Sequence, residues 1–302
     1  MRKAIDWILS IIIVAISIYI FINREEVITY IARKYSTYKV HEVSNNYSKK
    51  KDFMEFKRTD DFTPTNKAEL KNVIYTILDD GMDEFTFYCD YKCENDIREI
   101  INGDTLGIIN NYIHPYNSYE TFNIAVNNFD VVTISIEKNY TEAEKRLINS
   151  KIVEAKNEVI KSNMNDYQKV KAFHDYIIKN TRYNETEAKQ IENSEKTNLT
   201  SHKAYAVFND GTGVCGGYSD ALAIFLNFMG IDNFKVSTVN HVWNAVYVDG
   251  KWQHVDVTWD DPVVSDGSEM LIYDYFMVSS DELIKLDTER HVFNKELYLE
   301  LN

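Results

Sequence analysis

The tightest constraint in this sequence is the dipeptide Asp249-Gly250, set between two alternating segments, NHVWNAVYV and KWQHVDVTWDDP. Both residues tolerate positive φ, and a two-residue turn of that kind joins antiparallel strands whose twist it matches. Val248 then pairs with Lys251, which sets His241 opposite Thr258 and Trp243 opposite Asp256. Side chains alternate along a strand, so odd positions of the first segment and even positions of the second share a face. His241 and Asp256 become diagonal neighbours on that face, about 7–8 Å apart between backbones and within reach of an imidazole and a carboxylate. His254 and Trp252 share the face and are expected to pack or meet solvent. Asp260 and Asp261 precede Pro262 and read as a turn.

A second block, AYAVFNDGTGVCGGYSDALAIFLNFMG, lies just upstream, from Ala204 to Gly230. Gly211, Gly213, Gly216 and Gly217 surround Cys215, so the backbone there can turn sharply and approach a ligand closely. Ala221, Leu222, Phe225, Leu226 and Met229 recur at helical spacing, with Gly230 as the stop. Cys215 thus opens a buried helix, whose N-terminal amides favour a thiolate and offer donors to a developing oxyanion. A lone cysteine is more often a packing residue, but glycines on both sides leave this one at a surface or cleft.

The blocks GVCGGYSDAL and HVWNAVYVDGKWQHVDVTWDDP together resemble the bacterial transglutaminase-like superfamily, whose fold is related to papain-type cysteine proteases. NTRYN before them, and YDYFMVSSDEL with His291 after them, extend the resemblance over roughly residues 140–300. It implies Cys215 as nucleophile, His241 as its base and Asp256 as the acid orienting the histidine, with the Cys215 helix packed on an antiparallel sheet. It also implies attack on a carboxamide or peptide carbonyl, a thioester, and release of an amine, without metal or organic cofactor. The thioester then passes to water or to a second amine. Tyr205, Tyr218 and a residue of the 183–200 stretch are candidates for the side chain that completes the oxyanion site.

The N-terminus adds a location. Trp7 to Ile22 carries no charge and spans about 24 Å as a helix, a little short of a bilayer core unless Ala4 to Asp6 are drawn in. No small-x-small site follows the apolar run, which favours an uncleaved anchor over a signal peptide. Basic residues flank the span on both sides, and the expected orientation puts the body outside the cell membrane. A net charge of −14 disfavours nucleic-acid partners, which need a clustered basic surface.

The remaining chain reads as a stalk without a core (24–60), helical in part from Glu25 to Tyr38, and then a small α/β domain (61–138). In that domain Asn66 or Thr65 caps a helix ending at Gly81, Glu84–Cys89 is a strand, and Glu94–Tyr112 is helical. Two strands follow, Thr121–Val126 and Val131–Glu137. Residues 139–302 form the catalytic unit, with helices over Thr141–Ser162 and, capped by Asp166, from Tyr167. The stretch from Glu185 to Thr200 is expected as a surface loop. His114 reads as an exposed loop residue and His174 as structural. Cys89 and Cys93 are compatible with a local bridge in an exported chain, but an idle thiol pair is the simpler expectation.

The expectation is therefore an α+β, membrane-anchored cysteine enzyme. It would act on peptide, protein or cell-wall peptide substrates at the cell surface. A protein-glutamine transglutaminase and an inactive binding module are the alternatives.

Overall fold

A computed structural model describes residues 2–38, 46–192, 199–263 and 270–302. Helix α1 (Arg2–Ile22) contains the apolar window Ile5–Ile22, none of it buried against the rest of the chain. It is long and apolar enough to cross a membrane, a property that signal sequences share. Helix α2 (Arg24–Tyr38) follows after Asn23.

Helix α3 (Lys67–Asp79) begins at Asn66, whose side chain accepts from the Glu69 amide, and Gly81 leaves it with φ of 65°. Strand β1 (Glu84–Tyr88) is followed by α4 (Glu94–Asn102) and α5 (Thr105–Tyr112). The single helix expected over 94–112 is thus divided, because Gly103 adopts an extended backbone between the two halves. Strands β2 (Tyr119–Val126) and β3 (Val131–Lys138) complete an antiparallel sheet in the order β1-β3-β2.

Helix α6 (Glu142–Val159) opens with a capping box from Thr141 and Glu144. Helix α7 (Asp166–Asn180) opens with another, in which Asn165 rather than Asp166 is the cap. Strand β4 (Arg182–Tyr183), α8 (Glu185–Glu192), a 3-10 turn at Thr200–His202, α9 (Ala204–Asn209) and β5 (Thr212–Gly213) lead to α10 (Cys215–Phe228). The polar stretch after Tyr183 therefore starts as a helix. Its residues 193–198 lie outside the described residues.

Strands β6 (Asn233–Ser237), β7 (Val242–Val248), β8 (Lys251–Val255) and β9 (Phe276–Val278) form an antiparallel sheet in that order, and α11 (Ser280–Leu286) follows. The hairpin register is the one its turn demands: Val248 pairs with Lys251, Ala245 with His254 and Asn244 with Val255. Asp249 and Gly250 both take positive φ, 54° and 80°.

This four-stranded sheet divides two cores, as its alternation requires. Val246, Val248 and Val255 on one face meet Leu222 and Phe225 of α10 and Phe173 and Ile177 of α7. Phe234, Val236, Trp243 and Ala245 on the other face join Val73 and Ile77 of α3, Phe87 of β1 and Ile134 of β3. The region expected as a separate α/β unit therefore shares its core with the second sheet.

Two expectations are corrected here. The segment expected to be a coreless stalk ends in structure: Phe53 and Phe56 are buried in the first core. Arg58 binds Asp79 and Asp80 at 2.6 and 2.9 Å. Two aromatic residues in a polar stretch show no period, so their burial leaves no pattern. Cys89 and Cys93, expected as idle thiols, are joined in a disulfide. One turn of chain separates them, and α4 starts immediately after Cys93.

Because Phe56 fills a fully packed site, Phe56→Ala should lower the unfolding free energy of the whole chain by about 3 kcal/mol. Urea denaturation followed by circular dichroism measures this; a loss below about 1 kcal/mol would mean that the segment only rests on the surface.

Candidate active site

Cys215 is the first residue of α10 and follows Val214, whose side chain makes no cap. The first amides of a helix have no intrahelical acceptor, so those of Cys215 and its successor are available to an anion. Gly216 and Gly217 serve a close approach. A methyl group on Gly216 would come within 2.7 Å of His202 Nδ1 and 3.0 Å of the His202 carbonyl, and one on Gly217 would overlap the Ser201 carbonyl. The 3-10 turn thus lies directly on the start of α10, tied there by the Val214 amide donating to Ser201 O at 3.0 Å.

The structure brings together all three residues singled out above. His241 stands immediately before β7 and is buried. Its Nε2 is hydrogen-bonded to Asp256 Oδ2, and the Cys215 side chain acts on the same ring from the cleft. With Nε2 occupied, Nδ1 is the nitrogen left for the sulfur. Asp256 follows β8 directly; its amide donates to Tyr275 O at 3.0 Å. Its Oδ1 accepts from the amides of Thr258 and Trp259 at 3.0 and 3.2 Å.

Sequence reading gave no role to the second histidine on this carboxylate. His291 Nε2 lies 2.8 Å from Asp256 Oδ2, and its Nδ1 lies 2.7 Å from Asp287 Oδ2. Fifty residues separate it from His241, and only the resemblance drew attention to it. The two Nε2 atoms and the carboxylate oxygen lie within 4.8 Å of one another, a spacing compatible with a cation. Here both nitrogens bond the same oxygen directly, so these donors and acceptors are matched by one another.

Burial disfavours charge on this pair, but each charge offsets the other. The Asp256 carboxylate pushes the His241 imidazole up to about 10. His241 and His291 in turn hold the Asp256 carboxyl well below the usual carboxylate range, against its burial.

The other candidates have structural duties. His174 is buried, with Nε2 3.1 Å from Asp260 Oδ2 and Nδ1 3.0 Å from Asp175 Oδ1. Asp260 is buried and also accepts from the Tyr275 amide at 2.9 Å, so the expected turn is pinned to α7. His254 accepts from Trp243 Nε1 at 2.9 Å, and burial pushes its imidazole down to about 3. The Tyr218 hydroxyl, a candidate oxyanion donor, donates to Asp261 at 2.5 Å and is spent there. Tyr205, the other tyrosine considered, does not line the cleft. His114, expected to be exposed, is buried and accepts the Tyr116 amide through Nδ1 at 3.1 Å.

Cys215 is partly exposed. It opens on a cleft of about 780 Å³ whose walls include Tyr183, Ile191, His202, His241, Trp259 and Val263.

A helix here presents a cysteine at its first turn to a histidine beside an antiparallel sheet, an arrangement that suits a thiol nucleophile and its base. The chain matches the model of the transglutaminase-like superfamily over residues 153–257, about a third of its length. Among solved structures it is similar to a TGase, at 17% identity and a TM-score of 0.35, over 58% of this chain and 50% of that one. It is also similar to a candidate cysteine protease from Cytophaga hutchinsonii, at 13% identity and a TM-score of 0.27, over 50% of this chain and 65% of that one. The chain thus spans half and just under two thirds of these two proteins. No curated protein matches it.

The raised His241 value carries a sign. A histidine whose folded value exceeds its unfolded one adds stability that is complete below the unfolded value and disappears as pH rises through the folded one. The stability of the wild type over His241→Gln should be fully present below pH 6.5 and decline as pH approaches about 10. Chemical denaturation at a series of pH values measures this; an advantage that grows with pH would contradict the assigned charge.

Proposed function

We propose that this chain is a membrane-anchored cysteine enzyme that cleaves an amide or peptide bond through a thioester, with Cys215, His241 and Asp256 as its catalytic residues. The observation that carries the reading is a cleft that brings Cys215 and His241 together, with His241 hydrogen-bonded to Asp256 behind it. The Cys215 thiolate attacks the carbonyl carbon and the π pair moves to oxygen. His241 gives its proton to the amide nitrogen as the carbon–nitrogen bond breaks, and the amine leaves. Water then attacks the thioester, His241 takes its proton, and the sulfur is released with the acid product. Asp256 keeps Nε2 of His241 engaged, so that Nδ1 faces the sulfur, and stabilises the imidazolium that forms.

The membrane reading rests on the apolar α1, and the extracellular orientation on the sequence argument above. The Cys89–Cys93 disulfide favours an oxidising compartment, which agrees with a body on the outer face acting on surface proteins or wall peptides. Hydrolysis is preferred over transamidation because the partly exposed sulfur leaves the acyl group open to water.

Since Cys215 is the one free thiol among the three cysteines, its chemistry can be followed without background. Iodoacetamide should alkylate it faster than free cysteine near neutral pH, and Cys215→Ala should remove both labelling and turnover. Asp256→Asn should lower turnover by about 10²- to 10⁴-fold with binding little changed. A loss under about tenfold would take Asp256 out of the catalytic set. Incorporation of a fluorescent amine into a glutamine-bearing protein at a rate comparable to hydrolysis would favour the transglutaminase reading instead.

A further inference from the structure

The start of α10 offers backbone amides to the oxygen of a tetrahedral intermediate, and a side-chain donor beside them would bind it more strongly. We propose that His202 supplies the side-chain N–H that, with the Cys215 amide, binds this oxyanion. The inference rests on the proposed cysteine chemistry and deepens it.

Four observations place His202 there. It lines the same cleft as Cys215. Its ring lies so near Gly216, the residue following the nucleophile, that a Cβ at that position would meet Nδ1 at 2.7 Å. Among the described residues the ring has no hydrogen-bond partner, unlike His114, His174, His241, His254 and His291, each of which is bonded. A half-buried imidazole beside a nucleophile, with donor capacity unused, is suited to a ligand that exists only during reaction. Lastly, the turn that bears it is held from behind. The Ala204 amide donates to the Tyr140 hydroxyl at 2.8 Å, Tyr140 donates to Asp220 of α10 at 2.7 Å, and Lys235 closes the set on Asp220 at 2.7 Å.

Burial also pushes the His202 imidazole below its ordinary value. At neutral pH it is therefore an uncharged donor. It stabilises the oxyanion by a directed N–H and does not hold a permanent charge against the Cys215 sulfur.

The test separates two reactions of the same sulfur. Acylation by p-nitrophenyl acetate passes through an oxyanion: sulfur bonds to the acetyl carbon and p-nitrophenolate leaves. Alkylation by iodoacetamide displaces iodide at a saturated carbon and forms none. With the full chain purified in detergent, His202→Ala should slow acylation by about 100-fold while alkylation stays within about twofold of the wild type. His202→Phe, which fills the same place without donating, should do the same and serves if the alanine variant does not fold. Acylation within about threefold of the wild type, or acylation and alkylation falling together, would overturn the role of His202. A wild-type thiol alkylated no faster than free cysteine would instead bring down the cysteine-enzyme reading, and the oxyanion role with it.

Discussion

The arrangement depends on one desolvated carboxylate. Asp256 is almost wholly withdrawn from water, and a buried charge persists only where donors replace the lost hydration. Four are present: the amides of Thr258 and Trp259 on one oxygen, His241 and His291 on the other. Each ties down a different part of the molecule. The amides curl the chain immediately after β8, His241 fixes the approach to β7, and His291 draws the C-terminal segment across the site. Asp287 holds the far side of His291, so the chain after α11 is fastened to the same centre. The position of the imidazole beside Cys215 is thus a consequence of satisfying one anion.

Much of this was legible because local rules and the tertiary arrangement agree. Asp249-Gly250 required a two-residue turn, and that turn alone determined the pairing of Val248 with Lys251 and the shared face of His241 and Asp256. The helical spacing from Ala221 to Leu226 marked α10 because one stripe of it meets the sheet. A cap at Thr65 or Asn66 and the stop at Gly81 are equally plain, since both act within one turn of chain, and the structure chooses Asn66.

What escaped reading depends on long-range proximity. His291 lies 35 residues beyond Asp256, and no period or local motif connects them. Phe53 and Phe56 join a core built mainly from residues far downstream. His114 lies in a polar loop by sequence, yet it is covered by Tyr47 and Tyr116 packed on its ring. The glycines around Cys215 suggest, from sequence, freedom for a sharp turn and for close approach to a ligand. The φ values of Gly216 and Gly217 are not positive; what these two supply is room for the Ser201–His202 backbone. That purpose becomes visible only when the incoming segment is in place.

The disulfide between Cys89 and Cys93 has one more consequence for the sulfur at the head of α10. With both other cysteines joined to each other, Cys215 has no resolving partner within its own chain. Peroxide attack would carry it to the sulfenic acid, and without a neighbouring thiol to condense with, further oxidation leads to the sulfinic state, which few systems reverse. Rescue must come from a small external thiol able to enter the cleft. The working lifetime of such a protein in oxidising surroundings would therefore depend on the reductant around it as well as on the stability of its fold.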